Sequence, residues 1–482
     1  MLLLVCFLTI TSNNLVCFLT IATLKNVWFS TMKRLVDYHL LAWKADKFRQ
    51  PLLLRGARQV GKTYAVRELG KTYSSFVEIN FEQTPDLRKK FEQDFDVHRI
   101  IRDLAITLNV PIIPGKTLLF FDEIQRVPNV IMALRYFYEN MPDLHVIAAG
   151  SLLDFTMQKL VSFPVGRVEF LQMYPLSFME FLSAIGCNQS ITYLLTPDQV
   201  PTMQEHMHNL FLRRLGMYLA IGGMPALVEA WRQTETFPAS ARAANRLLQT
   251  YRQDFDTYAT KYQLKYLEAL FESIPQQLGE KFKYSKIAGD FRKRELAPCL
   301  DMLQHAGVAH RVQQTSAQGI PLGAGASYDD FKVIFIDVAL TQYMLGLDVG
   351  DWLVNPLETF GNKGALLEAF VGQEMLAYAD PRRMEKKLYY WQRNARNSEA
   401  EIDYVIQRQQ SIIPIEVKSG LGKHLKSMHA FLDSHPASPY GIRFSTHPYS
   451  LHEKIHSYPL YAIAKMCTED DPELRTALLS LL

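Results

Sequence analysis

One run of residues, Gly56-Ala57-Arg58-Gln59-Val60-Gly61-Lys62-Thr63, has the types and spacing needed to wrap a polyphosphate. It matches G-x-x-x-x-G-K-[ST] in full. Glycines let successive backbone N–H groups converge on a phosphate, and a helix starting there adds partial positive charge. Lys62 is placed to reach the β- and γ-phosphates of a nucleotide, and the Thr63 hydroxyl to ligate Mg²⁺. Tyr64 completes the candidate ATP contacts. A second set lies downstream in "TLLFFDEIQ", 117–125, where four apolar residues end in Asp122-Glu123. An acid at such a strand end holds the Mg²⁺ water shell, and a neighbouring glutamate polarises the attacking water. A solvated acidic turn is the plainer alternative for this pair.

Two further residues extend the set. Ser151 closes the apolar run "LHVIAAGS", 144–151, and is a candidate sensor of the γ-phosphate, or simply a turn serine. Arg167 follows Gly166 before "VEFL". It is a candidate for stabilising charge on a γ-phosphate, from its own chain or from a neighbour in a homo-oligomer, or else a surface ion-pair partner.

These residues need a scaffold that brings separate strand ends together. Leu52 to Leu54, "SSFVEINFE", Leu118 to Phe121 and 144–151 read as strands. Helical stretches are expected around 63–70, 84–108 and 129–140. This alternation predicts a doubly wound, mostly parallel α/β sheet.

"PLLLRGARQVGKTYAVRELG", "LLFFDEIQRVPN", "AAGSLLDF", "VGRVEFLQMYPLSFMEFL" and "YLAIGGMPALVEAW" together resemble the prokaryotic AAA-type ATP-binding proteins whose C-terminal half is a domain of unknown function. The resemblance runs from about Met32 toward the C-terminus. It implies a P-loop ATPase core using ATP and Mg²⁺, a winged-helix segment and a nuclease-like C-terminal fold.

The middle of the chain reads as long helices over 242–275. A helix–turn–helix–hairpin order is then expected over 279–312, with Arg292-Lys293-Arg294 opening the second helix. That stretch holds seven basic against four acidic residues, which suits contact with DNA phosphates, although many such folds contact only protein. "SAQGIPLGAGASY", 316–328, reads as a wing or flexible loop.

In the C-terminal part, 362–377 is expected as an amphipathic helix carrying Glu368. Residues 382–396 have six basic residues and one acid around Tyr389, Tyr390 and Trp391. That pattern suits nucleic acid, or an edge strand guarded by lysines. "AEIDYVIQ" and "IIPIEVKSG" read as paired strands. Glu416 and Lys418 are two apart and share one face. Asp403, Glu416 and Lys418, with Glu368 on the preceding helix, resemble the layout of PD-(D/E)xK nucleases. There Asp403 and Glu416 would hold Mg²⁺ and Lys418 would orient or activate a water. Ile402 precedes Asp403 where that pattern has proline, which puts activity in doubt. A nuclease-like fold used only for binding is the alternative.

The 482 residues are 48% apolar and 21% charged with a net charge of +3, so any nucleic-acid case rests on local patches. Five cysteines without a C-x-x-C pair argue against a disulfide framework and for a reducing, cytoplasmic compartment. "LVCFLTI" occurs at 4–10 and again at 15–21, and each copy is too short to cross a bilayer. Residues 1–31 therefore read as a leader or non-native extension. The expected divisions are 32–185 for the P-loop ATPase, 186–275 helical, 276–345 winged-helix-like, and 346–482 nuclease-like.

Overall fold

The computed structural model describes residues 31–482, apart from 152, 154–156, 158–163, 165, 355, 384–385, 394–399 and 420–424. Of the first thirty residues it describes Ile10–Thr11 and Asn14–Leu15, which pair as short antiparallel strands within a unit of their own. The reading of 1–31 as an extension falls almost wholly outside the described residues. No helix among the described residues is long and apolar enough to cross a membrane.

Helix α1 (Leu35–Ala45) leads into β1 (Leu52–Arg55), the phosphate-type loop and α2 (Lys62–Gly70). Then come β2 (Ser75–Asn80), α3 (Val97–Leu108), β3 (Thr117–Asp122), α4 (Pro128–Asn140), β4 (His145–Ala149) and β5 (Glu169–Gln172). The five strands form one parallel sheet in the order β2-β3-β4-β1-β5. β3 and β4 are buried at every position, as expected of strands covered on both faces. The helix expected over 84–108 is split into a 3₁₀ segment, Pro85–Phe91, and α3. The break comes at Asp96, whose carboxylate accepts from the His98 and Arg99 N–H groups and so starts a new helix.

A helical block follows: α5 (Phe178–Ala184), α6 (Asn188–Leu195), α7 (Glu205–Ile221), α8 (Pro225–Thr234), α9 (Phe237–Tyr258) and α10 (Leu264–Gln276). Of the expected helix–turn–helix pair, only α11 (Lys293–His305) is a full helix. Its predecessor is a single 3₁₀ turn, Tyr284–Lys286. Gly279 and Gly289, both at positive φ, bracket that turn and stop it propagating.

The hairpin β6 (Ala309–Thr315) and β7 (Ala326–Phe335) does not close a separate module. It is continuous with β8 (Leu388–Gln392), β9 (Glu401–Arg408), β10 (Ser411–Lys418), β11 (Gly441–Ser445), β12 (Ser450–His452) and β13 (Ile455–Pro459). The mixed eight-stranded order is β12-β13-β11-β10-β9-β8-β6-β7. The division expected at 345/346 thus falls inside one sheet, because β8 pairs in parallel with β6. Helix α12 (Gly364–Ala377) packs on this sheet. It buries residues on all sides, Leu366, Leu367, Phe370, Val371 and Met375 among them, so it is a core helix rather than an amphipathic one.

Phe121 anchors the first core. It is fully buried, with ring centroids 5.9 Å from Phe81, 5.5 Å from Phe91 and 5.9 Å from Phe137. Phe121→Ala is expected to lower unfolding free energy by about 3–5 kcal/mol, read from urea denaturation followed by circular dichroism.

Candidate functional site

The loop between β1 and α2 has the backbone its sequence calls for. Gly56, Gln59 and Gly61 have φ of 137°, 63° and 102°. A Cβ at Gly56 would overlap the Met173 carbonyl oxygen, so only glycine fits. Lys62 is buried and its ammonium donates to the Gly56 and Ala57 carbonyls, at 2.8 Å each. Burial lowers its pKa to about 8, against the pull of Glu123 and Asp122. The Thr63 hydroxyl donates to Asp122 Oδ2 at 2.9 Å. Ala57 and Val60 are buried, Tyr64 is exposed, and Arg58 turns away to pair with Asp254 of α9 at 2.9 Å.

Asp122 and Ser151 reach the same sheet edge because β3 pairs in parallel with β4, and β4 with β1. Burial raises the Asp122 pKa. Glu123 sits at φ 56°, a left-handed conformation that carries strain in a non-glycine residue. Its carboxylate accepts from the Gln125 side-chain amide. Ser151 is buried, and among the described residues its Oγ has no hydrogen-bond partner. The structure therefore brings together Lys62, Thr63, Asp122, Glu123 and Ser151.

It does not bring Arg167 to them. Arg167 precedes β5, and Glu169 of β5 lies beside Leu52 at the start of β1. Parallel pairing puts Arg167 at the amino edge of the sheet, roughly 13 Å of strand from where the loop begins. There it pairs with Glu139 at 3.2 Å, the bland alternative.

A second constellation forms in the C-terminal sheet. β9 carries one more residue than β8 between two rungs of their ladder: Val405 and Ile402 oppose Tyr389 and Trp391. The extra residue is a bulge at Asp403-Tyr404. Asp403 Oδ2 accepts from the Val417 N–H of β10 at 2.7 Å, and Glu416 pairs with Lys418. Glu368 of α12 is bound by Lys332 of β7 at 2.8 Å. Lys332 also binds Glu401 at 2.6 Å. Sequence reasoning missed Lys332 and Glu401. Lys332 lies in "DDFKVIFID", where nothing local marks it as buried. Burial pushes the Glu368 carboxyl up to about 8 and Glu416 up to about 7, and raises Asp403. Burial works against a charged Lys332, but the carboxylates of Glu368, Asp403 and Glu401 outweigh it and raise its pKa. Among the described residues, no three His, Cys, Asp or Glu side chains are grouped to hold a metal ion. The pair expected to hold Mg²⁺ is already engaged, Asp403 by the Val417 N–H and Glu416 by Lys418.

The two basic stretches lose their simplest readings. β8 is an interior strand, not a guarded edge, and Tyr390 and Trp391 are buried rather than offered to bases. Arg382 pairs with Asp380 and Glu473, Arg383 with Asp380, and Lys386 donates to the Met375 carbonyl. Residues 394–396 lie outside the described set. In the middle stretch, Lys281, Lys286, Lys293 and Arg311 pair with Asp330, Glu280, Asp329 and Asp301.

Residues 48–182 match the family described as an AAA domain. Residues 212–351 and 363–463 match two domains of unknown function, DUF8612 and DUF4143. No curated protein matches the chain. Among solved structures, a Walker-type ATPase of Pyrococcus abyssi is similar at 16% identity and TM-score 0.41, covering 65% of this chain and 96% of that one. A STAND signal-transduction ATPase with a tetratricopeptide-repeat sensor from Pyrococcus horikoshii has 10% identity and TM-score 0.25, covering 72% and 48%. A Thermotoga maritima RuvB variant has 17% identity and TM-score 0.25, covering 57% and 88%.

The loop of the AAA domain is gripped from outside its own segment. Arg34, buried just before α1, donates to the Val60 carbonyl at 2.7 Å and to the Tyr174 carbonyl at 2.8 Å, and pairs with Glu180 at 2.8 Å. The other Glu180 oxygen accepts from the Ser177 N–H at 2.8 Å. One residue on, the Phe178 N–H donates to Glu374 of α12 at 2.9 Å. On another side, Gly307, in the turn after α11, lies against Ala57: a Cβ there would stand 3.2 Å from the Ala57 nitrogen.

Burial pushes Glu374 up to about 8. The folded protein therefore keeps a proton that the unfolded chain loses near pH 4.5, and stability from this group is lost as pH rises through about 8. Glu374→Gln is expected to reduce the fall in stability between those limits without abolishing it, because Glu368 and Glu416 titrate with the same sign. Urea melts across pH 5 to 9 measure this.

Proposed function

We propose that the chain is a Mg²⁺-dependent ATP hydrolase whose nucleotide state is passed to its C-terminal half, which binds a partner rather than cutting nucleic acid. The observation that carries the hydrolase reading is the Thr63 hydroxyl against Asp122, with Lys62 and Glu123 around the same sheet edge. Thr63 and Asp122 are the residues that would hold Mg²⁺, which supplies charge compensation along the phosphates. Lys62 exchanges its two carbonyl acceptors for β- and γ-phosphate oxygens. Glu123 takes the proton of a water whose oxygen bonds to the γ-phosphorus as the bond to ADP breaks. Ser151 Oγ, buried at the same sheet edge, can donate to a γ-phosphate oxygen. Arg167 has no part in this within one chain.

Support for a link to the C-terminal half comes from the buried series Val60, Arg34, Glu180 and the 177–178 turn to Glu374, because α12 also carries Glu368. The binding reading rests on the carboxylates of the C-terminal centre, each of which already has a lysine or a backbone N–H on one oxygen.

Lys62→Ala is expected to weaken Mg-ATP binding by one to two decades, since a charged hydrogen bond contributes about 1.5–3 kcal/mol; calorimetric titration measures it. Unchanged affinity removes the ATP reading. Glu123→Gln should bind Mg-ATP normally and release phosphate about 10²–10⁴-fold more slowly. In the same assays with added DNA, no cleavage products are expected. Mg²⁺-dependent products that vanish in Glu416→Ala would restore the nuclease reading.

A further inference from the structure

We infer that the Lys332 ammonium is the built-in cation of the C-terminal carboxylate centre, standing where a divalent metal would otherwise be drawn. Lys332 has only 2% of its surface exposed. Its ammonium touches Glu368 at 2.8 Å and Glu401 at 2.6 Å, from a helix and a strand distant in sequence. Asp403 is close enough to act on it electrostatically. It also lies 5.3 Å from the centroid of the Tyr390 ring, a further cation-binding face. Carboxylates and an aromatic face thus converge on one buried positive charge.

A buried ammonium satisfies carboxylates by charge and hydrogen bonds, as a metal would. It has no vacant coordination position, so it cannot hold and acidify a water as a bound metal does. The remaining acids are engaged elsewhere, Asp403 by the Val417 N–H and Glu416 by Lys418. One atom stands out: among the described residues, Glu416 Oε2 is buried without a hydrogen-bond partner. Lys332 is therefore what makes this centre a charge-locked junction between β7, α12 and β9. The inference does not depend on whether ATP is hydrolysed.

The test uses the full chain, stripped with EDTA and free of nucleotide, titrated with Mn²⁺ and followed by electron paramagnetic resonance and thermal melting. Wild type is expected to show no Mn²⁺ site that Glu368→Gln or Glu416→Gln removes, and no shift in melting temperature. Lys332→Met, close in length but neutral, is expected to melt lower without metal, to gain one Mn²⁺ per chain, and to recover melting temperature as Mn²⁺ is added. A variant that folds yet gains no Mn²⁺ overturns the inference, as does a wild-type site lost on Glu368→Gln. Should Lys332→Met fail to fold, the wild-type titration decides: no site sensitive to Glu368→Gln upholds the inference, and its presence overturns it. Loss of ATP binding would sink the hydrolase reading and leave these outcomes unchanged.

Discussion

The guanidinium of Arg34 is the contact on which the nucleotide loop's setting depends. It is almost fully buried, and three acceptors share it: the Val60 carbonyl within the loop, the Tyr174 carbonyl after β5, and the Glu180 carboxylate on α5. A buried charge is tolerated only when its partners are in place, so these elements must assemble together. The AAA domain therefore does not end where its sheet ends. Its loop is fixed by residues before α1 and after β5, and Glu180 sits two residues from Phe178, where Glu374 of α12 is met.

The same logic of buried charge organises the C-terminal sheet. Lys332, Glu368 and Glu401 come from β7, α12 and β9, and each would be costly to bury alone. Together they join the hairpin that follows α11 to the C-terminal strands. Since β6 and β8 also pair directly, the matched segments 212–351 and 363–463 share one sheet. Gly307, in the turn between α11 and β6 of that sheet, lies against Ala57 of the nucleotide loop.

Surface charge in sequence proved a poor guide to surface charge in space. In the basic stretch 279–312, Lys281 and Lys293 pair with Asp330 and Asp329 of β7 and Lys286 and Arg311 with acids of the stretch itself, and Arg382, Arg383 and Lys386 all have protein partners. The aromatics of β8 are core residues. Basic and aromatic residues in one segment suit both a nucleic-acid surface and a buried strand flanked by paired charges. Only the position of that strand within the sheet separates the two.

The phosphate loop, the acid pair Asp122-Glu123 and the strands that present them were legible because each is local. A glycine requirement follows from φ, and a continuous apolar run reports a strand covered on both faces. The hairpin of β9 and β10, which carries Asp403 on one strand and Glu416 and Lys418 on the other, was legible for the same reason. What the tertiary structure decided was long-range pairing. It put Arg167 on the wrong edge of a parallel sheet for the loop in its own chain, split the helix expected over 84–108, merged two expected domains through one strand pair, and buried Arg34 and Lys332. An arginine or lysine reads the same in sequence whether it meets water or a carboxylate nearly 150 residues away, because the partner that lowers the cost of burial is chosen by the fold and not by its neighbours in the chain.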